Sequence, residues 1–149
     1  MTDLPHGTTA PAREDSRAPA TVVDRAYRAV LALFVLMGVV QIFLAGLGIF
    51  SLISASGPGF EPHRTLGFIM SGAALVIVVL ALLARAGARA VGISVLILLL
   101  TGFVQSLLAA VGEDIPFFGG LHALDGLLAI GLAGHLLGAS RGGHAVSRR

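Results

Sequence analysis

The sequence predicts an all-α membrane protein, a four-transmembrane-helix bundle built from two tandem αα-hairpin repeats. Three observations lead there. Over 149 residues the chain is 56% hydrophobic and only 12% charged, too little charge for the skin of a water-soluble domain of this size. Its apolar residues gather into four long runs, and its two halves share a spaced motif.

Residues 29–60, 65–84 and 90–112 contain no charged side chain. Each run reaches the roughly 20 residues that a helix needs to cross the hydrocarbon of a bilayer. A fourth, 119–140, is equally apolar except for His122, Asp125 and His135. Continuous apolarity favours helices over barrel strands, which would alternate in and out over about ten residues. Helices are therefore expected near 27–53, 63–85, 89–112 and 119–140, within a membrane domain spanning 25–140. Gly57-Pro58-Gly59 forms the turn that ends helix one, and Pro62 fits the first turn of helix two, where its missing N–H is harmless. Gly112 and Pro116 do the same work between helices three and four. Residues 1–24, rich in Pro, Thr, Ala and mixed charge, read as a disordered arm, and 141–149 as a tail. The first run exceeds a signal-peptide core, so it is expected to stay as an anchor.

All ten basic residues are arginine. Nine of them (positions 13, 17, 25, 28, 85, 89, 141, 148 and 149) fall on one side of the four runs, and Arg64 alone falls on the other. This bias predicts a multi-pass protein of the inner (plasma) membrane with both termini and the middle loop cytoplasmic. The same placement leaves no folded basic surface for nucleic acid. Cysteine is absent, which removes disulfides, thiolate metal sites and thioether-linked heme. Arginine without lysine, amid abundant Ala and Gly, suggests a bacterial GC-rich genome.

The segment Gly38 to Gly48 overlays Gly102 to Gly112 with six of eleven positions identical, Gln41 on Gln105 among them. Past the following loop each half continues His-x-x-x-Gly, as His63 to Gly67 and His122 to Gly126. Each repeat holds two spans, so both halves face the same way. His63 and His122 are then expected at equivalent depths near the outer face, with Gln41 and Gln105 at matching depths below them.

Two neutral imidazoles facing across a bundle axis are the donor set of bis-His heme ligation. The i+4 glycines, with Ala129 and Ala133 continuing below Gly126, leave a smooth surface against which a flat cofactor could lie. Arg64 could pair with a propionate, and Asp125, on the same face as His122, could accept its Nδ1–H. The bland readings stand beside these: interfacial histidines with packing glycines, and an Asp125 that is hydrated or paired with Arg64. His135 reads as an interfacial or packing residue, Met70 as a soft ligand or, more readily, as core filler or lipid-facing, and Gln41 and Gln105 as hydrogen bonds across helices. Glu61, Glu113 and Asp114 could gather a cation at the outer mouth or simply be solvated. No nucleophile with a base, phosphate loop or zinc-protease motif occurs, so no catalytic residue is assigned.

Glu61-Pro-His63-Arg64-Thr-Leu-Gly67 resembles the Glu-x-x-His-Arg-x-x-Gly signature of heme A synthase, one residue shorter between Glu and His. Together with His122 opening the fourth helix, the likeness is to one half-bundle of that enzyme, and it implies His63 and His122 as heme ligands. Only one bundle is present, and the outer-loop cysteines are missing, so heme-methyl oxidation is not implied. Gln41-x-x-Leu-Ala-Gly-Leu-Gly48 with Pro62-His63-Arg64 and Leu121-His122 also resembles a family of small four-helix bacterial membrane proteins of unknown function.

The expectation is thus a membrane protein carrying one b-type heme (heme b) between His63 and His122, held by Arg64, Asp125, Gly67 and Gly126. The alternative is a non-enzymatic accessory protein without cofactor; transport, with no visibly broken span, is the weakest reading. The lipid bilayer is the expected partner, with a membrane protein or a second copy as further candidates.

Overall fold

A computed structural model describes residues 21–145, and side chains through residue 140. The arm and tail residues beyond these limits lie outside the described residues. Every regular element within them is helical. We label α1 Val22–Ile53, α2 Glu61–Leu83, α3 Ala88–Gly112 and α4 Pro116–Ala145. All four are long and apolar enough to span a membrane.

Helix α1 starts five residues earlier than expected, inside the stretch read as a disordered arm. The cause is local: Thr21 and Asp24 form a reciprocal capping box, Thr21 Oγ1 accepting from the Asp24 N–H at 3.1 Å and Asp24 Oδ2 accepting from the Thr21 N–H at 2.8 Å. The turn after α1 lies where Gly57-Pro58-Gly59 predicts it, with Gly57 at φ 95° and Gly59 at φ 61°. Pro62 occupies the first turn of α2. Pro116 is not in the preceding loop but opens α4.

The largest departure is in α3. Residues 100–104 wind as a π-helix, and the Gln105 N–H bonds the Leu100 carbonyl, five residues back. The added residue per turn rotates everything after it and brings Gln105 round to face α4. At this level the Ser71 hydroxyl of α2 lies 3.0 Å from the Thr101 carbonyl and 3.1 Å from its own Gly67 carbonyl. A wide turn leaves carbonyls short of helical partners, and Ser71 supplies one from the neighbouring helix.

In the bundle α1 packs on α2 and α4, and α3 packs on α2 and α4. That makes α1–α3 and α2–α4 the two diagonals. The core is confined to the end where α1 begins: Leu31, Phe34, Ala74, Ile77, Ala81, Ile97 and Ala133 are fully buried there. Met70, read as core filler or lipid-facing, belongs to this core at 6% exposure. The outward flanks are apolar and exposed, as at Phe43, Phe68, Phe103 and Leu124, the pattern of a surface that meets lipid tails instead of water.

Candidate functional site

His63, the third residue of α2, and His122, in the second turn of α4, face each other across the α2–α4 diagonal. Their ring centres are 6.0 Å apart with planes inclined at 59°. Both residues are half-buried. Phe60 meets the His63 ring edge-on at 6.0 Å.

Each histidine is held in the same way by a glutamine of its own hairpin. Gln41 Nε2 donates to the His63 carbonyl at 2.8 Å, while His63 Nδ1 lies 3.2 Å from the Gln41 carbonyl. In the other hairpin Gln105 Nε2 donates to the His122 carbonyl at 2.8 Å, and His122 Nδ1 lies 3.1 Å from the Gln105 carbonyl. A carbonyl only accepts, so each Nδ1 carries a proton, and in a neutral ring Nε2 then holds the lone pair. The glutamines therefore sit level with the histidines and not below them.

The i+4 glycines have a different purpose from the one expected of them. A Cβ on Gly67 would lie 3.3 Å from Gln41 Nε2, and one on Gly126 would lie 3.2 Å from Gln105 Nε2. They make room for the glutamine amide. Nor do Ala129 and Ala133 offer a free surface: at 1% and 0% exposure they are packed inside the bundle. The motif Gln…His-x-x-x-Gly is thus one unit, in which the glutamine reaches over the glycine to grip the histidine's backbone.

Asp125 is 9% exposed and Oδ2 has no hydrogen-bond partner; the carboxylate stands beside the Gln105 amide. It does not orient His122, whose Nδ1 is taken by the Gln105 carbonyl. Arg64 does not pair with Asp125 or reach between the rings; it pairs with Glu113, at 3.3 Å, in an exposed ion pair linking the first turn of α2 to the connection between α3 and α4. That pair also withdraws Glu113 from a cation site, and no group of three or more His, Cys, Asp or Glu able to hold a metal occurs among the described residues. His135 is exposed on α4.

One polar contact escaped sequence reasoning. Tyr27 of α1 and Ser94 of α3, buried at 5% and 0%, meet hydroxyl to hydroxyl at 3.4 Å across the other diagonal. The signal was the chain's single tyrosine, sitting just inside the first span.

No curated protein and no solved structure matches the chain, so the likeness to heme A synthase rests on its motif alone. Residues 41–111, from the first bracketing glutamine through the second, match the model of a family of unknown function, DUF6220.

Proposed function

We propose that the two hairpins are tandem repeats whose histidines together ligate one metal centre, and that a b-type heme is the group this donor set suits. One observation carries the reading. Two imidazoles from different hairpins face each other at 6.0 Å, each with Nδ1 held by a backbone carbonyl and neither Nε2 hydrogen-bonded by a described residue. His63 and His122 would hold such a group between them, each offering an Nε2 that no described residue hydrogen-bonds. Fixing Nδ1 on a carbonyl sets the tautomer and raises the basicity of Nε2, as in most protein metal sites. Among the described residues only these two donors face each other, which fits a group that brings its own four equatorial nitrogens. When bound, a heme supplies one-electron redox chemistry, for which no further catalytic side chain is required.

The arginine bias supports an inner-membrane topology with both termini cytoplasmic and the histidine pair toward the outer face. A second reading has support as well. The two brackets satisfy their polar groups within the protein, so they would also serve as staples between helices in an accessory protein without cofactor.

The test is the reduced-minus-oxidised spectrum of protein purified in detergent from heme-supplied cells, alongside His63→Ala and His122→Ala. Sharp bands in the wild type, lost in both variants and partly restored by added imidazole, are the expected result. A colourless, folded wild type that also refuses added heme would leave the staple reading.

A further inference from the structure

We propose that the two histidines of the pair are unequal: Phe60 is a positioning residue that holds the His63 ring in place, and His122 is the member that turns aside when the site opens. This rests on the reading of the pair as a two-ended site, and it names the end at which a bound group would be loaded or released. Phe60 directly precedes α2 and meets the His63 ring edge-on at 6.0 Å. Its own ring is seated on α1: Gly48 is buried, and a Cβ there would fall 2.6 Å from Phe60 Cδ1. The glycine lets the ring lie between α1 and α2 and bear on the histidine.

The second hairpin lacks this clamp. Gly112 stands where Gly48 does, and its neighbour across the hairpin is Gly119, three residues before His122 as Phe60 is three before His63. There backbone meets backbone, a Cβ on Gly112 falling 2.7 Å from the Gly119 nitrogen. No ring takes the place of Phe60, and a Cβ on Gly120 would meet nothing within 4 Å. Phe118, the nearest aromatic in sequence, stacks edge-on with Phe117. Among the described residues, His63 is thus the one aromatic neighbour of the His122 ring.

The hydrogen bonds do not separate the two rings. Each Nδ1 is held by a glutamine carbonyl, at 3.2 Å for His63 and 3.1 Å for His122, so the two holds are matched. What differs is the edge-to-face contact with Phe60, which lowers the population of a turned-out ring by about 2- to 12-fold. A ring that turns breaks its Nδ1–H bond to the carbonyl and opens that proton to water. Exchange of the Nδ1 proton therefore reports how often each ring leaves the pair.

The experiment is nuclear magnetic resonance of the full-length protein in detergent, with isotope-labelled histidine and no added cofactor, reading the exchange of the two Nδ1 protons with water. His63→Ala and His122→Ala assign the signals. In the wild type, His63 is expected to exchange about 2- to 12-fold more slowly than His122. Phe60→Ala should bring His63 to the rate of His122 and leave His122 unchanged, whereas Phe60→Tyr, which keeps the ring, should keep His63 slow. Gly48→Ala pushes the ring from its seat without removing it; it should act as Phe60→Ala does, and keeps the idea testable if that variant does not fold. Equal rates in the wild type, a His63 rate indifferent to Phe60→Ala, or an equal rise at both histidines would each overturn the proposal. Because no heme enters the measurement, a colourless protein would end the heme reading and leave this result standing.

Discussion

The bundle closes its two diagonals by opposite means. At the end where α1 begins, Tyr27 and Ser94 meet across α1–α3 inside a dry core of Leu31, Phe34, Ile77 and Ile97. At the other end, His63 and His122 meet across α2–α4 half-buried, with no comparable apolar layer around them and with the Oε1 of Gln41 and the Oδ2 of Asp125 left unpartnered. Packing alone accounts for the first end. The second is built from reciprocal hydrogen bonds that fix two rings in place, an arrangement that does little for packing and much for orientation. The difference teaches where packing and orientation divide in this chain: one half holds the helices together, the other holds two side chains still.

Substitutions can sharpen that division. The largest effect is expected in the dry half, where Phe34→Ala should cost about 3–5 kcal/mol by leaving a cavity, measured by unfolding in mixed detergent. Leu44→Ala, on the half-buried flank above Gln41, should cost well below that; similar losses at both sites would erase the contrast. Gly112→Ala comes next. Its Cβ would fall 2.7 Å from the Gly119 backbone nitrogen, and because backbone cannot step aside as a side chain can, a loss of about 1–3 kcal/mol is expected.

Gln41→Leu and Gln105→Leu should each cost only about 0.6 to 1.7 kcal/mol, the worth of a hydrogen bond between membrane helices, while still loosening the histidine they hold. On the proposed heme site, their informative readout is the reduced-minus-oxidised spectrum, which should broaden or shift with the fold intact. An unchanged spectrum would reduce the bracket to a staple. The smallest effect belongs to Glu113→Gln, where Arg64 and Glu113 are 62% and 70% exposed and the pair should contribute under about 1 kcal/mol; a larger loss would mean that the join between α2 and the α3–α4 connection depends on it.

The four spans were legible because continuous apolarity is a local property, and the bracket residues because Gln, His and Gly recur in the same order. What escaped is set by rotation and by backbone. Nothing in Asp125 or Gln105 as letters says that a main-chain carbonyl, not the nearby carboxylate, takes the proton of His122. The π-turn at residues 100–104 is likewise a tertiary product: it depends on Ser71 of another helix lying against Thr101. Even the shared His-x-x-x-Gly spacing misled in part, since it suggested glycines facing a ligand where they lie against the glutamine amides. The early start of α1 was readable, for Thr21-x-x-Asp24 is a capping pattern, but it lay inside a stretch whose composition suggested disorder.

The central claim is spatial, that the imidazoles of two hairpins meet across the α2–α4 diagonal of one molecule. Because the chain has no cysteine of its own, the double variant His63→Cys/His122→Cys can be treated in native membranes with a short thiol-to-thiol crosslinker and digested within the α2–α3 loop. The account predicts that the two fragments stay joined in the monomer, and that single variants yield separate fragments. Fragments that separate in the double variant, or links formed only between two molecules, would contradict it.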